Sequence, residues 1–94
     1  MHFDRLPGGE IVGPGLEDLR RGAMTVNALL VSIGAARLRD AGIPVPPAID
    51  NPHEQLYALL EREHGDAAHG RYNALLRRLV SFEHAVESLG LAGA

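Results

Sequence analysis

The segment from Leu16 to Asp40 carries two apolar stripes where a surface helix needs one. Leu16, Leu19, Ala23, Val26, Leu30 and Ile33 form the first. Met24, Ala28, Val31, Ala35 and Leu38 form the second, and both follow the three-and-four spacing of an α-helix. At 100° per residue the stripes are centred roughly 110° apart, so the joint apolar sector is roughly 200° wide, about twice that of a one-sided helix. Such a helix needs cover on two sides. It is either the central element of its own domain or one that lends a side to another chain.

Glu17 and Asp18 suit the positive end of a helix dipole, and Gly42 followed by Pro44 supplies a stop, which predicts one helix over about 16–41. Gly22 is its weak point, because Arg20-Arg21-Gly22 also reads as the end of a short helix with Thr25 capping a second. Upstream, Pro7, Gly8, Gly9, Gly13, Pro14 and Gly15 are expected to break regular structure, leaving residues 1–15 as an irregular arm with Glu10-Ile11-Val12 extended. Downstream, Pro44, Pro46 and Pro47 make residues 42–51 an extended connection anchored by Ile43, Val45 and Ile49. Asn51 as N-cap, Pro52 at N1 and Glu54 at N3 open a second helix over about 52–64. Asp66 is placed to cap a third over about 67–89, whose stripe is Tyr72, Leu75, Leu79, Phe82, Val86 and Leu89. The expected architecture is a single all-α domain over residues 1–94, a bundle of three principal helices with an N-terminal arm.

Two covers are available to the first helix within one chain, the second and third helices. The second spans only about three turns, and a chain of 94 residues holds a thin core. A second copy of the first helix is therefore the favoured cover, as in a twofold homodimer. Asn27 and Gly34 fall between the stripes. Gly34 would admit a close backbone, and a buried Asn27 would need a partner and would fix register. The interface or ligand groove is expected at Met24, Asn27, Ala28, Val31, Gly34, Ala35 and Leu38, beside the Pro-rich connection.

The chain has no Cys, which excludes disulfides and thiolate metal sites. A net charge of −3 disfavours binding to nucleic acid. All nine basic residues are Arg, which with abundant Ala, Gly, Pro and Leu reads as the codon supply of a GC-rich bacterial genome. No apolar run approaches the roughly 20 residues of a membrane span, and the N-terminus lacks a basic region followed by an apolar run, so a cytoplasmic setting is expected.

Candidate chemistry is sparse. The five His are His2, His53, His64, His69 and His84. Glu61 and His64 have the Glu-x-x-His spacing of di-iron bundles, but that site needs a second such motif, and Glu83, His84 and Glu87 lack the spacing. No metal and no cofactor are expected. Arg71, Arg77 and Arg78 form a basic patch suited either to an anion or to pairing with Glu83 and Glu87. Arg78 and His84, with five residues between them, resemble the Arg and His pair of the HEPN class of helical ribonucleases. The resemblance covers residues 78–84 alone. It implies Arg78 and His84 as catalytic residues meeting their counterparts from a second subunit, with His84 as general acid or base on a ribose hydroxyl. Phosphate loops and nucleophile elbows are absent. The function expected from the sequence is an interaction or regulatory module partnered by itself and by another protein, with a small ribonuclease as the alternative.

Overall fold

A computed structural model describes residues 5–90, whose regular structure is entirely helical. His2 and Phe3 lie outside the described residues.

The first correction concerns the arm. Gly9–Arg20 form a helix, α1, entered from Gly8 at φ +79°. Gly9, Gly13, Pro14 and Gly15 do not break it, although Pro14 costs an internal N–H donor. What holds it is tertiary. Ile11, Val12, Leu16 and Leu19 lie on one face and all are buried.

The second correction concerns the long helix over 16–41. Arg20 ends α1, and Gly22, at φ +76°, turns the chain. The Ala23 N–H donates to the Asp18 carbonyl at 2.8 Å and the Gly22 N–H to the Leu19 carbonyl at 3.1 Å, a Schellman stop that needs the left-handed backbone glycine allows. Thr25 then caps α2, Val26–Ile33: its hydroxyl accepts the Ala28 N–H at 3.1 Å and donates to the Asp18 carboxylate at 2.7 Å. The Thr25 hydroxyl, with Arg21, holds the Asp18 carboxyl below the usual carboxylate range. Thr25→Ala should cost about 1 kcal/mol in urea unfolding, and Thr25→Ser much less. Asp18 contributes stability above its unfolded pKa that is lost as pH falls through the lower folded value. The alanine variant should therefore lose part of the wild-type acid sensitivity. Equal losses for the two variants would show that the hydroxyl is not the stabilising group.

Gly34 bends the helix without ending it. The Gly34 N–H reaches the Leu30 carbonyl at 3.3 Å, and its own carbonyl accepts from Leu38 at 2.9 Å. α3, Ala35–Asp40, thus continues α2 as one bent rod. Gly42, at φ +94°, closes it with a second Schellman turn. The Pro-rich connection is tied back on both sides. The Ser32 hydroxyl donates to the Ala28 carbonyl and accepts the Ile49 N–H at 3.0 Å, while Arg39 donates to the Val45 and Pro46 carbonyls. Ile43 is buried and Val45 and Ile49 pack on the core.

α4, Pro52–His64, and α5, Ala68–Leu89, are joined by a 3-10 turn over Gly65–Ala67. Pro52 opens α4 as expected, but Asn51 takes φ +49° and makes no side-chain cap bond, so the Asn51–Glu54 capping box does not form. Asp66 lies within the 3-10 turn and does not cap α5.

α1, α4 and α5 all pack on α2. The double stripe is therefore covered inside one chain. Ala28, Val31 and Leu38 have no exposed surface and Ala35 has 4 %. Of the groove expected at Met24, Asn27, Ala28, Val31, Gly34, Ala35 and Leu38, the five residues Ala28, Val31, Gly34, Ala35 and Leu38 are buried within the chain. α1 supplies the cover that had been assigned to a second copy. Met24 stands in the break between α1 and α2 and is 58 % exposed, and Asn27 is half-buried beside α1.

Candidate functional site

α4 and α5 run back on each other, and along their outer seam they expose an aromatic cluster. His53, Tyr57 and the residues between lie on the first two turns of α4, opposite His69 and Tyr72 on the start of α5. The core face of α4 is set by Leu56 and Leu60, both buried, which leaves Tyr57 at the edge of the seam. The rings of Tyr57 and Tyr72 meet edge to face at 5.4 Å between centroids. His69 approaches Tyr57 at 6.4 Å, and His53 approaches Tyr72 at 6.3 Å. The Tyr72 hydroxyl and His53 Nδ1 share a hydrogen bond of 2.6 Å, and the Asn73 amide lies 3.2 Å from His69 Nε2.

Beside these rings runs a shallow groove of about 420 Å³, lined by His53, Glu54, Tyr57, Ala58, Glu61 and Tyr72. Glu54, Tyr57, Ala58 and Glu61 share one face of α4 at three-and-four spacing. Small Ala58 leaves the floor open between two carboxylates. Along α5 the same outer face continues from Tyr72 to Leu76 and Val80, and Val80 is 39 % exposed.

The strongest electrostatic feature lies elsewhere. Glu83 is 4 % exposed and sits over Gly34, where a Cβ would come 2.8 Å from its carboxylate oxygen. Arg37 donates to Glu83 at 3.2 Å and holds Glu87 through two bonds of 2.8 Å. Burial pushes the Glu83 carboxyl up, Arg37 holds Glu87 down, and Glu87 keeps Arg37 firmly cationic. This network fastens α3 to α5. Its carboxylates are the partners expected for Arg71, Arg77 and Arg78, but Arg37 takes them instead.

Arg78 and His84 are not brought together within the chain. They stand six positions apart on α5, which places them roughly 120° apart around the helix and about 9 Å along it. Arg78 is ion-paired to Glu10 of α1, and His84 is exposed. Among the described residues no group of three or more His, Asp or Glu side chains could hold a metal ion, and no helix is long and apolar enough to cross a membrane.

The aromatic seam was the feature sequence reasoning missed. Tyr57 and Tyr72 pass for core positions on their helices, and only the spacing of Glu54 and Glu61 around Tyr57 marks that face of α4 as a surface. Comparison with protein-family models, with curated proteins and with solved structures returned no match.

Proposed function

We propose that the protein is a small helical interaction module that acts by associating with a second copy of itself and with another polypeptide, without covalent chemistry. The supporting observation is the outer face of the α4–α5 hairpin, where both tyrosines of the chain stand together half-buried at the rim of a groove and lead into half-buried Leu76 and exposed Val80. Aromatic side chains give large contact area at little entropic cost and are enriched where proteins meet. With the double stripe buried, the Leu76–Val80 stretch of α5 is the apolar surface on which the second copy is placed. A twofold axis there would set α5 against its own copy.

The test is mass in solution by sedimentation at micromolar to high micromolar concentration. A concentration-dependent dimer is expected, and Val80→Glu, at a surface position that leaves the core intact, should give a monomer with unchanged circular dichroism. A wild-type chain that stays monomeric through the high micromolar range removes self-association. A dimer that Val80→Glu does not weaken moves the contact to another face.

A further inference from the structure

We infer that the α4–α5 groove is a receptor for an arginine side chain presented by a partner polypeptide, stacked on Tyr57 and held between Glu54 and Glu61. The inference builds on the reading of this hairpin face as the binding surface, and names the chemistry it would take.

The first observation is the distribution of ion pairs. Every acidic side chain of α1 and α5 is paired: Glu10 with Arg78, Glu17 with Arg20, Asp18 with Arg21, and Glu83 and Glu87 with Arg37. On α4, by contrast, Glu54 and Glu61 have no cationic partner among the described residues, although both line the groove. They lie seven residues apart, about 10 Å along the helix, one at each end of the groove floor. Glu63 of α4 and Asp40 of α3 also stand without an ion pair among the described residues, but of these only Glu54 and Glu61 line a groove, so the fold leaves two unneutralised carboxylates facing one concave surface.

The second observation is what lies between them. Tyr57 and Tyr72 are locked edge to face, and the His53 hydrogen bond fixes the Tyr72 hydroxyl. An aromatic floor between carboxylates suits an organic cation, because the ring quadrupole attracts the charge and the carboxylates accept its N–H groups. A guanidinium satisfies both at once, stacking flat while its edge forks onto a carboxylate, which a compact ammonium does not do. The groove is shallow and open, so it covers one side of a small cation and leaves the rest in water. A free cation gains too little there to stay. An arginine carried on a longer chain brings flanking residues that gain further contact along Ala58 and Tyr72 of the seam, clear of the Leu76–Val80 surface, and this points to a polypeptide as the source.

The probe is a fluorescein-labelled peptide of about twelve residues with alternating Arg and Leu, beside peptides with Lys or citrulline in place of Arg. Anisotropy should show saturable binding of the Arg peptide, several-fold weaker binding of the Lys peptide, and none of the uncharged citrulline peptide. Amide chemical shifts should move at residues 53–61 and 69–76. Glu54→Gln with Glu61→Gln, both at exposed or rim positions that leave the core intact, should weaken binding about tenfold or more, and Tyr57→Ala should weaken it several-fold. Glu63→Gln, which removes the same charge from α4 outside the groove, should leave affinity unchanged. Equal losses from Glu63→Gln and the groove carboxylates would reduce the effect to net charge and overturn the assignment. So would shifts confined to another face. Free arginine amide binding as tightly as the peptide would overturn the polypeptide source. None of these failures touches the sedimentation result, so self-association through α5 stands or falls separately.

Discussion

Gly15→Ala should destabilise the protein by about 2 kcal/mol and lower its melting temperature by roughly 10 °C, although alanine is the better helix former. Gly15 lies inside α1, where replacing glycine by alanine is ordinarily worth about 1 kcal/mol in favour of folding. Here the new Cβ would stand 2.5 Å from the Asn27 carbonyl oxygen and 2.6 Å from a Val31 methyl. The first of these is backbone and cannot rotate aside. Relief requires α1 and α2 to separate, which opens the contact that buries Val12, Leu16 and Val31. Overpacking of a tight site costs about 1–3 kcal/mol, and a clash with backbone belongs at the upper end, so the clash outweighs the propensity gain. Gly70→Ala is the internal comparison. It lies in α5 with nothing within 4 Å of its Cβ, and there the propensity term acts alone, giving about 0.5–1 kcal/mol of stabilisation. Thermal melts of both variants decide the matter. A Gly15→Ala variant as stable as the wild type would mean that α1 does not lie on α2 as closely as described.

The same glycine explains why the amino-acid sequence conveys the helical class more readily than the arrangement. The double stripe over residues 16–40 is legible because burial imposes period 3.6 on whichever helix is most enclosed. What encloses it is not legible. Gly9, Gly13, Pro14 and Gly15 carry strong local breaking signals, and α1 forms over them because four apolar side chains find a face on α2. Counting residues 1–15 as an arm leaves the central helix one cover short, and a second chain is then called on to supply it. Gly22 and Thr25 do carry the break between α1 and α2 in plain view, as a C′ glycine and an N-cap. Their competitor was the unbroken apolar period, which two packed helices in a hairpin can imitate. At α4 the capping signals were misleading in detail, since Asn51 contributes its left-handed backbone and no side-chain bond.

The candidate site was less legible still, for a physical reason. On α4, Leu56, Tyr57, Leu59 and Leu60 all offer apolar positions, and burial is complete only at Leu56 and Leu60. Tyr57 is pushed to the seam only by where α5 lies. The two tyrosines and two histidines meet across a turn that brings residue 53 to residue 72. Neither helix alone reveals that meeting. The unpaired state of Glu54 and Glu61 is equally a tertiary property, because it depends on Arg37 and Arg78 being engaged by Glu83, Glu87 and Glu10 elsewhere.

That matching has a measurable cost where it is buried. Arg37→Met should lower stability clearly at neutral pH, and by more than Glu83→Gln, which should stay close to the wild type. The asymmetry follows from what each change leaves behind. Glu83 is 4 % exposed in the native fold, and without Arg37 its carboxylate loses the one cation bonded to it and keeps only the weaker field of His84; breaking a buried pair from that side costs about 3–5 kcal/mol. The partial exposure of Arg37 reduces the figure, since water reaches the vacated place. Without the Glu83 charge, Arg37 keeps both bonds to Glu87. Acid separates the two variants further. Burial already raises the Glu83 pKa and Arg37 opposes that rise, so losing Arg37 raises it more. A carboxyl with a raised folded pKa favours the native state when protonated, so its penalty is full above the folded pKa and disappears as pH falls towards the unfolded value. Glu87 has the opposite sign, because its lowered pKa contributes stability above the unfolded value that acid removes, and that contribution goes with Arg37. The Arg37→Met variant should therefore gain stability relative to the wild type as pH falls from neutral into the carboxylate range. Adding Glu83→Gln to it should recover part of the loss at neutral pH and reduce the acid gain to the share that comes from Glu87. Urea unfolding of the four proteins across that range measures each term. An Arg37→Met deficit that does not shrink in acid would show that Glu83 is not the group left uncompensated.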